Sequence, residues 1–338
     1  MNELSTLVTT QLVARLDHCS ENAPSHRDIE RLIRHRIETL RGALGHAACH
    51  HFAAPGKMLR AKMALRGAAL LNIDDFSAIR WASAIEVLHN ASLIHDDLCD
   101  GDKHRRGQQS IWSKFGRNTA LALGDWLVAL SFEFAAEAAK HTNSPNLVSR
   151  LAGHMARTTA GVADEFEWCI SKGWARYLEI AGDKTAPFLT APTQGVVIMA
   201  GNEQCESRLV EYFSDLGKAY QIANDIAEFN GNDEAKIVAG DLAQRRPNAV
   251  VLAFADGLDP HSYSQFKGWF QCGDNEQLGK WSARILCSDA LRVAASKMMD
   301  ILKCAEEKGG MLSPSVAEIV NPVHALVQRV CISSTEGL

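Results

Sequence analysis

Residues 96–100 read Asp-Asp-Leu-Cys-Asp, and Arg105 and Arg106 follow shortly after them. A diphosphate is bound both by hard cations, which carboxylates hold, and by charged hydrogen-bond donors such as guanidinium groups. A second acidic run, Asn224-Asp225-Ile226-Ala227-Glu228, lies in the second half of the chain and repeats the same internal spacing. Two runs of this kind predict a clamp built from two sets of carboxylates.

The first acidic run ends a stretch with helical spacing. If residues 81–100 form one helix, His89, Asp96 and Asp100 lie on one face and Asp97 lies beside it. Asp96 and Asp100 are then one turn apart, about 5–6 Å. Carboxylates at this separation suit hard divalent cations whose other ligands are phosphate oxygens and water. We therefore predict that Asp96, Asp97 and Asp100 bind Mg²⁺.

The second acidic run gives a matching polar stripe. Gln221, Asn224 and Glu228 fall on one helical face, and Asp225 lies next to it. We predict that Asn224, Asp225 and Glu228 complete the metal site. A lone acidic run is more often a solvated helix face, but two runs with basic companions favour a binding cavity.

Basic residues accompany both runs. Lys57 and Arg60 are predicted to lie at the start of a helix, where the helix dipole also attracts an anion. Arg105 and Arg106 follow the first run, and Lys184 precedes Pro187, which disturbs its helix. Together these groups supply enough positive charge for two diphosphates rather than one.

Composition narrows the class of protein. The chain has 338 residues, is 46% hydrophobic and carries a formal net charge of -5, so it has no general electrostatic attraction for nucleic acid or an anionic membrane. Nine cysteines without a CxxC pair indicate a reducing compartment. The amino-terminal residues do not resemble a signal peptide, and no run of about twenty apolar residues spans a bilayer. We predict a cytoplasmic protein without a transmembrane segment.

Apolar residues recur at helical spacing almost everywhere, so the predicted fold class is all-α. No low-complexity linker divides the chain, which indicates one helical domain over residues 1–338. The stretch from Asn275 onward is helical in pattern and has no motif that we can interpret. The predicted helices span 3–20, 27–51, 57–71, 76–100, 116–140, 147–171, 174–200, 205–229, 238–256, 261–270, 278–305 and 314–332.

Several motifs in order resemble the trans-isoprenyl diphosphate synthases, the polyprenyl synthetase family, over about residues 50–256. The stretch from Glu86 to Asp100 resembles the first aspartate-rich motif of the family and its upstream helix. The resemblance implies an all-α isoprenoid-synthase bundle around a deep cavity, usually as a homodimer. The other matching segments are Arg105-Arg106-Gly107, Phe115-Gly116, Gly124-Asp125, Lys184-Thr185, Gly217 to Gln221, and the Asp225 region.

The resemblance also implies a reaction and roles. A prenyltransferase of this family condenses isopentenyl diphosphate with an allylic prenyl diphosphate after Mg²⁺-assisted ionisation of the allylic substrate. Arg105, Lys184 and Lys236 would help to hold the allylic diphosphate, and Lys184, Thr185 and Gln221 would stabilise the carbocation. Isopentenyl diphosphate would be held by Lys57, Arg60, His89 and Arg106.

The second motif departs from the family, because Asn224 stands where an aspartate is usual and Glu228 replaces the last aspartate. A carboxamide can bind Mg²⁺ through its oxygen but adds no charge, so we expect one weakened metal site. Two alternatives stay open: a class I terpene cyclase or unusual coupling enzyme on the same scaffold, and a non-catalytic subunit of a heteromeric prenyl synthase.

Product length is predicted from the helix that precedes the first run. Ala91 and Ser92 are small, and in the family the growing tail passes this face, so we expect a product of twenty carbons or more. Leu88 or Ile85 would form a deeper stop. The small residues are equally compatible with simple helix packing. A zinc site at His46, Cys49, His50 and His51 is not favoured, because no second ligand pair has suitable spacing.

Overall fold

The computed structural model describes residues 24–54, 56–229 and 240–338. This part of the chain is almost entirely helical, as predicted, and its one sheet is a short antiparallel hairpin, β1 (His104–Arg105) and β2 (Gln108–Gln109). The predicted helix 3–20 lies outside the described residues. The described α-helices are α1 (His26–Ile37), α2 (Gly42–Ala53), α3 (Leu59–Leu70), α4 (Asp75–Asp100), α5 (Ile111–Phe115), α6 (Arg117–His141), α7 (Asn146–Phe166), α8 (Gly173–Met199), α9 (Glu206–Phe229), α10 (Gly240–Gln244), α11 (Ala249–Asp256), α12 (Pro260–Cys272), α13 (Leu278–Leu286), α14 (Ala290–Gly309) and α15 (Pro314–Ser334).

Helix α4 has well-defined ends. Its N-cap, Asp74, accepts a hydrogen bond from the Ser77 backbone N–H at 3.0 Å, which satisfies one of the free donors of the first turn. It ends at Gly101, whose φ of 73° is left-handed and therefore suits a residue without Cβ. The predicted helix 76–100 is confirmed to within one residue.

Three predicted helices are each interrupted. The stretch 27–51 divides before Gly42, which has a φ of 61°. The stretch 238–256 divides at Arg245, also left-handed at 61°, and restarts where the Asn248 side chain caps α11. The stretch 278–305 divides between α13 and α14. Periodicity continues across such short breaks, so spacing alone does not reveal them.

Helices α4, α8 and α9 form the centre of the bundle. α4 packs against α3, α6 and α8, whereas α9 packs against α8, α14 and α15. Two apolar clusters result, one around α4 and α6 and the other around α9 and α14, and α8 contributes side chains to both. The assignment of one domain over residues 1–338 stays a prediction.

Helix α6 is the one described helix that is long and apolar enough to cross a membrane by length and composition. A helix in the core of a bundle passes the same test, and α6 contributes Leu123, Leu127 and Phe134 to the apolar cluster around α4. This is weak evidence for a span. The predicted absence of a transmembrane segment and the cytoplasmic location both stay predictions.

Candidate active site

The first acidic run, Asp96, Asp97 and Asp100, is called the first wall and occupies the last turn of α4. Asp96 is half-buried, and burial raises its pKa to about 6 although Lys184 opposes the shift. Asp97 is buried and forms a 2.6 Å ion pair with Arg105 on the hairpin. Asp100 forms a 2.6 Å ion pair with Arg246. Asp96 is therefore the member of this wall for which the structure shows no bonded cation.

The second acidic run, Asn224, Asp225 and Glu228, is called the second wall and lies near the end of α9. Asn224 is exposed, whereas Asp225 and Glu228 are buried. Asp225 accepts hydrogen bonds from the Tyr177 hydroxyl at 2.6 Å and from the backbone N–H of Ala249 at 2.7 Å. Burial raises the pKa of both carboxyl groups, with a contribution from the neighbouring Asp241.

One short stretch, residues 240–249, connects the two walls, and we call it the linking segment. Its Arg246 binds Asp100 of the first wall, and its Ala249 donates to Asp225 of the second wall. Three residues of chain, which span at most about 10 Å, and the Arg246 side chain therefore join the two walls. The prediction that the two acidic runs face a shared site stays a prediction.

The three residues predicted to stabilise a carbocation lie beside the walls. Lys184 on α8 donates to Glu165 at 2.7 Å. The Thr185 hydroxyl donates to the Gln221 side chain at 3.3 Å, and Gln221 in turn donates to Asp225 at 3.0 Å. These bonds align the polar edge of α8 with the second wall.

Two glycines allow α8 to approach its neighbours. A Cβ on Gly161 of α7 would lie 2.9 Å from the Lys184 backbone nitrogen, and a Cβ on Gly217 of α9 would lie 3.0 Å from the backbone of Ala186. Such distances are too short for a side chain, so only glycine permits this packing. The position of Lys184 thus depends on residues from three helices.

A separate group of cations lies between α3 and α4. Arg60 contacts His89, with 3.1 Å between Nη1 and Nε2. Burial lowers the pKa of His89 well below its usual value, and Arg60 adds to the shift, so the imidazole is neutral and accepts this bond. The Arg60 guanidinium also lies 5.9 Å from the centre of the Phe188 ring. Its Nε is buried and has no hydrogen-bond partner in the structure, which leaves a donor for a ligand.

Arg106 joins this group from the hairpin. Arg106 and Gly107 have φ values of 52° and 76°, which is typical of a two-residue type I′ turn. The guanidinium donates to the Ala54 carbonyl at 3.1 Å. A Cβ on Gly56 would lie 2.5 Å from it, so glycine there makes room for the arginine.

Of the three lysines predicted for the diphosphate sites, Lys57 is less well placed than Lys184. Lys57 is exposed in the segment before α3, which begins at Leu59 after a left-handed Met58. It therefore precedes the first helical turn in which it was predicted. Lys236 lies outside the described residues, so its role stays a prediction.

The residues present fit a divalent cation at the first wall, because Asp96 and Asp100 lie one turn apart on α4. In residues 24–54, 56–229 and 240–338, no group of three or more His, Cys, Asp or Glu side chains forms a ready metal site. The histidine cluster is explained otherwise, since His50 contacts the Gln109 carbonyl and Lys114, and His51 binds Asn90.

The sequence-based prediction missed four residues of this site: Tyr177, Asp241, Arg246 and Asn248. Asp241 donates its backbone N–H to Glu228 at 2.6 Å, and its carboxylate accepts from Asn248 at 3.2 Å. The pair Arg245-Arg246 after the second acidic run was the available signal, because it repeats the acidic-then-basic order of the first run.

Comparisons with known proteins agree with this arrangement. The sequence profile of the family described as Polyprenyl synthetase matches residues 42–286. A geranylgeranyl pyrophosphate synthase from Geoglobus acetivorans is 28% identical over 319 residues, which cover 90% of this chain and 98% of the relative.

Two solved structures resemble the whole bundle. A polyprenyl synthase from Caulobacter crescentus, complexed with calcium and isoprenyl diphosphate, has a TM-score of 0.78 and 25% identity and covers 94% of this chain and 97% of its own. A decaprenyl diphosphate synthase from Rhodobacter capsulatus has a TM-score of 0.77 and 23% identity, with 90% and 96% coverage, and shows the fold alone. The all-α isoprenoid-synthase bundle is confirmed.

Proposed function

The chain belongs to the polyprenyl synthetase family, and we propose that it condenses isopentenyl diphosphate with an allylic prenyl diphosphate. It is a prenyltransferase of the polyprenyl or geranylgeranyl diphosphate synthase type. The observation that carries the proposal is the presence of two separate groups of charged residues, one at the paired walls and one between α3 and α4. Two groups are what a reaction between two diphosphates requires.

The allylic diphosphate is assigned to the walls. Asp96 and Asp100 would hold Mg²⁺, the hard cation that suits carboxylate and phosphate oxygens, and bound Mg²⁺ would neutralise the departing diphosphate. Lys184 and Arg246 add fixed positive charge from α8 and the linking segment. Arg105 is held by Asp97, which orients its remaining N–H groups.

Isopentenyl diphosphate is assigned to the group between α3 and α4. Arg60 keeps a buried, unpartnered N–H, and neutral His89 accepts from Arg60 and so fixes its guanidinium. Arg106 joins this group from the hairpin, and Lys57, in the segment before α3, is assigned to it by the resemblance to the family. A cyclase acting on one diphosphate has no use for this second group, and the named relatives do not favour a cyclase or a non-catalytic subunit.

The carbocation is assigned to the space between α8 and α9. The Thr185 hydroxyl and the Gln221 amide present oxygen dipoles there, and the hydrogen bond to Asp225 fixes the orientation of Gln221. Preorganised dipoles stabilise a developing charge because they need no rearrangement during the reaction. The buried apolar side chains of α4 and α8 exclude water that would quench the cation.

We propose a product of twenty carbons or more. Ala91 is buried, and Ser92 uses its hydroxyl in a 2.8 Å hydrogen bond to the His89 carbonyl, so both present small surfaces on α4. The names of the relatives extend from farnesyl through geranylgeranyl to decaprenyl synthases, so the relatives leave the length open.

A homodimer formed through α6 is proposed as well. Leu121 is 51% exposed, and Ala122, Ala129 and Ala136 are exposed on one stripe of this helix together with Asp125 and Glu133. A second copy of the chain would bury the apolar side chains of this stripe. Light scattering should give twice the monomer mass for the wild type and the monomer mass for Ala129→Arg, whereas a monomeric wild type contradicts the proposal.

One assay tests the proposed reaction. Purified protein with Mg²⁺ and farnesyl or geranyl diphosphate is incubated with and without isopentenyl diphosphate, and the products are analysed by mass spectrometry. We expect elongation only with both substrates. A hydrocarbon or alcohol formed from the allylic substrate alone would indicate a cyclase, and no turnover without an added protein would indicate a partner subunit.

Variants separate the two diphosphate sites. Asp96→Ala should abolish turnover, whereas Lys57→Ala should raise the KM for isopentenyl diphosphate and leave binding of the allylic diphosphate unchanged. Lys140→Ala, which changes an exposed lysine at the end of α6, is the matched control. If Lys57→Ala weakens the binding of both substrates equally, the assignment of two separate sites is wrong.

A further inference from the structure

The carboxylates of the second wall are already bound by protein donors. Both oxygens of Asp225 are used: Oδ2 accepts from Tyr177 and Ala249, and Oδ1 accepts from Gln221. Asp225 is only 1% exposed. A carboxylate offers about four lone-pair positions, so these three bonds leave one position for a cation, and displacing any of them would cost about 1.5–3 kcal/mol.

Glu228 is held through one of its two carboxyl oxygens. Its Oε1 accepts the Asp241 backbone N–H at 2.6 Å, and Asp241 accepts from Asn248, the residue that caps α11. The two acidic residues thus fasten α9 to the linking segment at both of its ends. We call these contacts of Asp225 and Glu228 with the linking segment the clasp, because they stabilise the packing of two elements.

The remaining member of the second wall is not charged. Asn224 is exposed, so it is the one residue of this wall that lies on the open side of α9. The charged residues are turned into the protein, and the residue on the accessible side is a carboxamide. The second wall therefore does not present an accessible carboxylate to a cation.

Arg246 places a fixed positive charge at the same location. Its side chain is 18% exposed, and one of its amino nitrogens lies 2.6 Å from Asp100. A guanidinium has five N–H donors in a planar fork, and the bond to Asp100 uses one nitrogen. The others can bind phosphate oxygens, for which arginine is well suited.

Resting on the proposed function, we propose that the second wall of this chain holds no divalent cation and that Arg246 supplies the positive charge on that side of the diphosphate. The first wall binds metal, and the second wall positions the linking segment. Asp225 and Glu228 are then positioning residues that act through Arg246.

Counting bound Mn²⁺ tests the first half of this proposal. Free Mn²⁺ is measured by electron paramagnetic resonance in the presence of inorganic pyrophosphate, so no turnover is needed. Asn224→Ala and Glu228→Gln should bind as many ions as the wild type, whereas Asp96→Asn should weaken Mn²⁺ binding by more than about tenfold. Loss of one ion in Asn224→Ala or in Glu228→Gln overturns the proposal.

A matched pair of variants tests the clasp. Glu228→Gln keeps an oxygen that accepts the Asp241 N–H, so its melting temperature should stay close to that of the wild type. Glu228→Ala loses that acceptor and should melt at a lower temperature. Equal melting temperatures for Glu228→Ala and the wild type contradict a structural role.

Pyrophosphate binding in EDTA tests the role of Arg246. Arg246→Ala should weaken binding by about tenfold or more, Arg246→Lys should restore part of the loss, and Arg292→Ala on α14 is the exposed control. Unchanged binding by Arg246→Ala overturns the second half of the proposal. A wild type that binds no Mn²⁺ with pyrophosphate would instead contradict the proposed function itself.

Discussion

Trp81 is expected to limit the length of the product. It lies on the side of α4 that faces α8, is 1% exposed, and donates its indole N–H to the Pro192 carbonyl at 3.0 Å. A Cβ on Gly195 would lie only 2.0 Å from the ring, so the indole packs directly on the backbone of α8. Trp81 therefore closes the interface between α4 and α8 at the end opposite Asp96.

The distance along α4 gives the expected length. Fifteen residues separate Trp81 from Asp96, which at 1.5 Å per residue is about 22 Å. A twenty-carbon prenyl tail has sixteen main-chain carbons and, at about 1.25 Å of advance per bond, spans roughly 20 Å. Leu88 and Ile85, the deeper stops expected from the sequence, lie between Asp96 and Trp81 on α4 and are buried. A tail that is held at Asp96 and passes both of them reaches Trp81 at about twenty carbons.

The substitution Trp81→Ala should lengthen the product by one or more five-carbon units. It should also destabilise the fold by about 3–5 kcal/mol, the usual cost of truncating a buried tryptophan. Trp81→Phe keeps most of the volume and should shift the products less. Trp281→Ala, at a tryptophan 3% exposed in the other apolar cluster, is the control for destabilisation alone.

Products are separated by mass spectrometry at fixed isopentenyl diphosphate concentration, and urea unfolding confirms that each variant is folded. The reasoning is refuted if folded Trp81→Ala gives the same chain lengths as the wild type. It is also refuted if Trp281→Ala lengthens the product as much, because the change would then follow from loss of stability.

Three further outcomes are expected. Ser92→Phe should shorten the product, because an aromatic ring there blocks the face of α4 below Asp96, and an unchanged product profile would exclude Ser92 from the path of the tail. Burial raises the pKa of Asp96 to about 6, which is above the value in the unfolded chain. Ionisation of Asp96 therefore lowers the stability of the folded protein as the pH rises from about 4 to 6. Allowing for solvent screening, Asp96→Asn should stabilise the metal-free protein by about 1–2 kcal/mol at pH 8 and should not stabilise it below pH 4. Urea unfolding in EDTA measures this difference, and the same gain at both pH values would contradict it. Tyr177→Phe removes a hydrogen-bond donor to the buried carboxylate of Asp225 and should lower the free energy of unfolding by about 1.5–3 kcal/mol. A loss below about 0.5 kcal/mol, the effect of an ordinary surface substitution, would show that this hydrogen bond adds little to stability.

The parts of the site that follow from local spacing could be predicted. The helix that carries His89, Asp96 and Asp100 follows from the sequence because its apolar period and its end at Gly101 are both local signals. The pairing of Arg60 with His89 is different, since it depends on how α3 packs on α4. The resemblance to the family implied that Arg60 and His89 bind one ligand, but the neutral state of His89 required the structure.

The parts of the site that depend on distant residues could not be predicted. Arg245 adopts a left-handed conformation usually taken by glycine, so its residue type did not indicate the turn that brings Arg246 to Asp100. Similarly, Asp225 reads as a metal ligand from its spacing, whereas in the structure its oxygens accept hydrogen bonds from Tyr177 and Ala249. Each of these contacts joins segments that are far apart in sequence, and the spacing of residues within one helix does not predict such contacts.

The departures of the second wall from the family pattern have one physical explanation in this chain. A neutral residue at position 224 weakens the binding of a cation on that side of the diphosphate, and we propose that Arg246 of the linking segment supplies the positive charge there. Arg246 reaches Asp100 from a segment that is held at both ends, by Glu228 on Asp241 and by Asp225 on Ala249. The additional methylene of Glu228 extends its carboxylate to the Asp241 backbone. A neutral Asn224, a longer Glu228 and an ion-paired Arg246 are therefore connected features, and a variant that restores aspartate at position 224 should be judged together with Arg246 rather than alone.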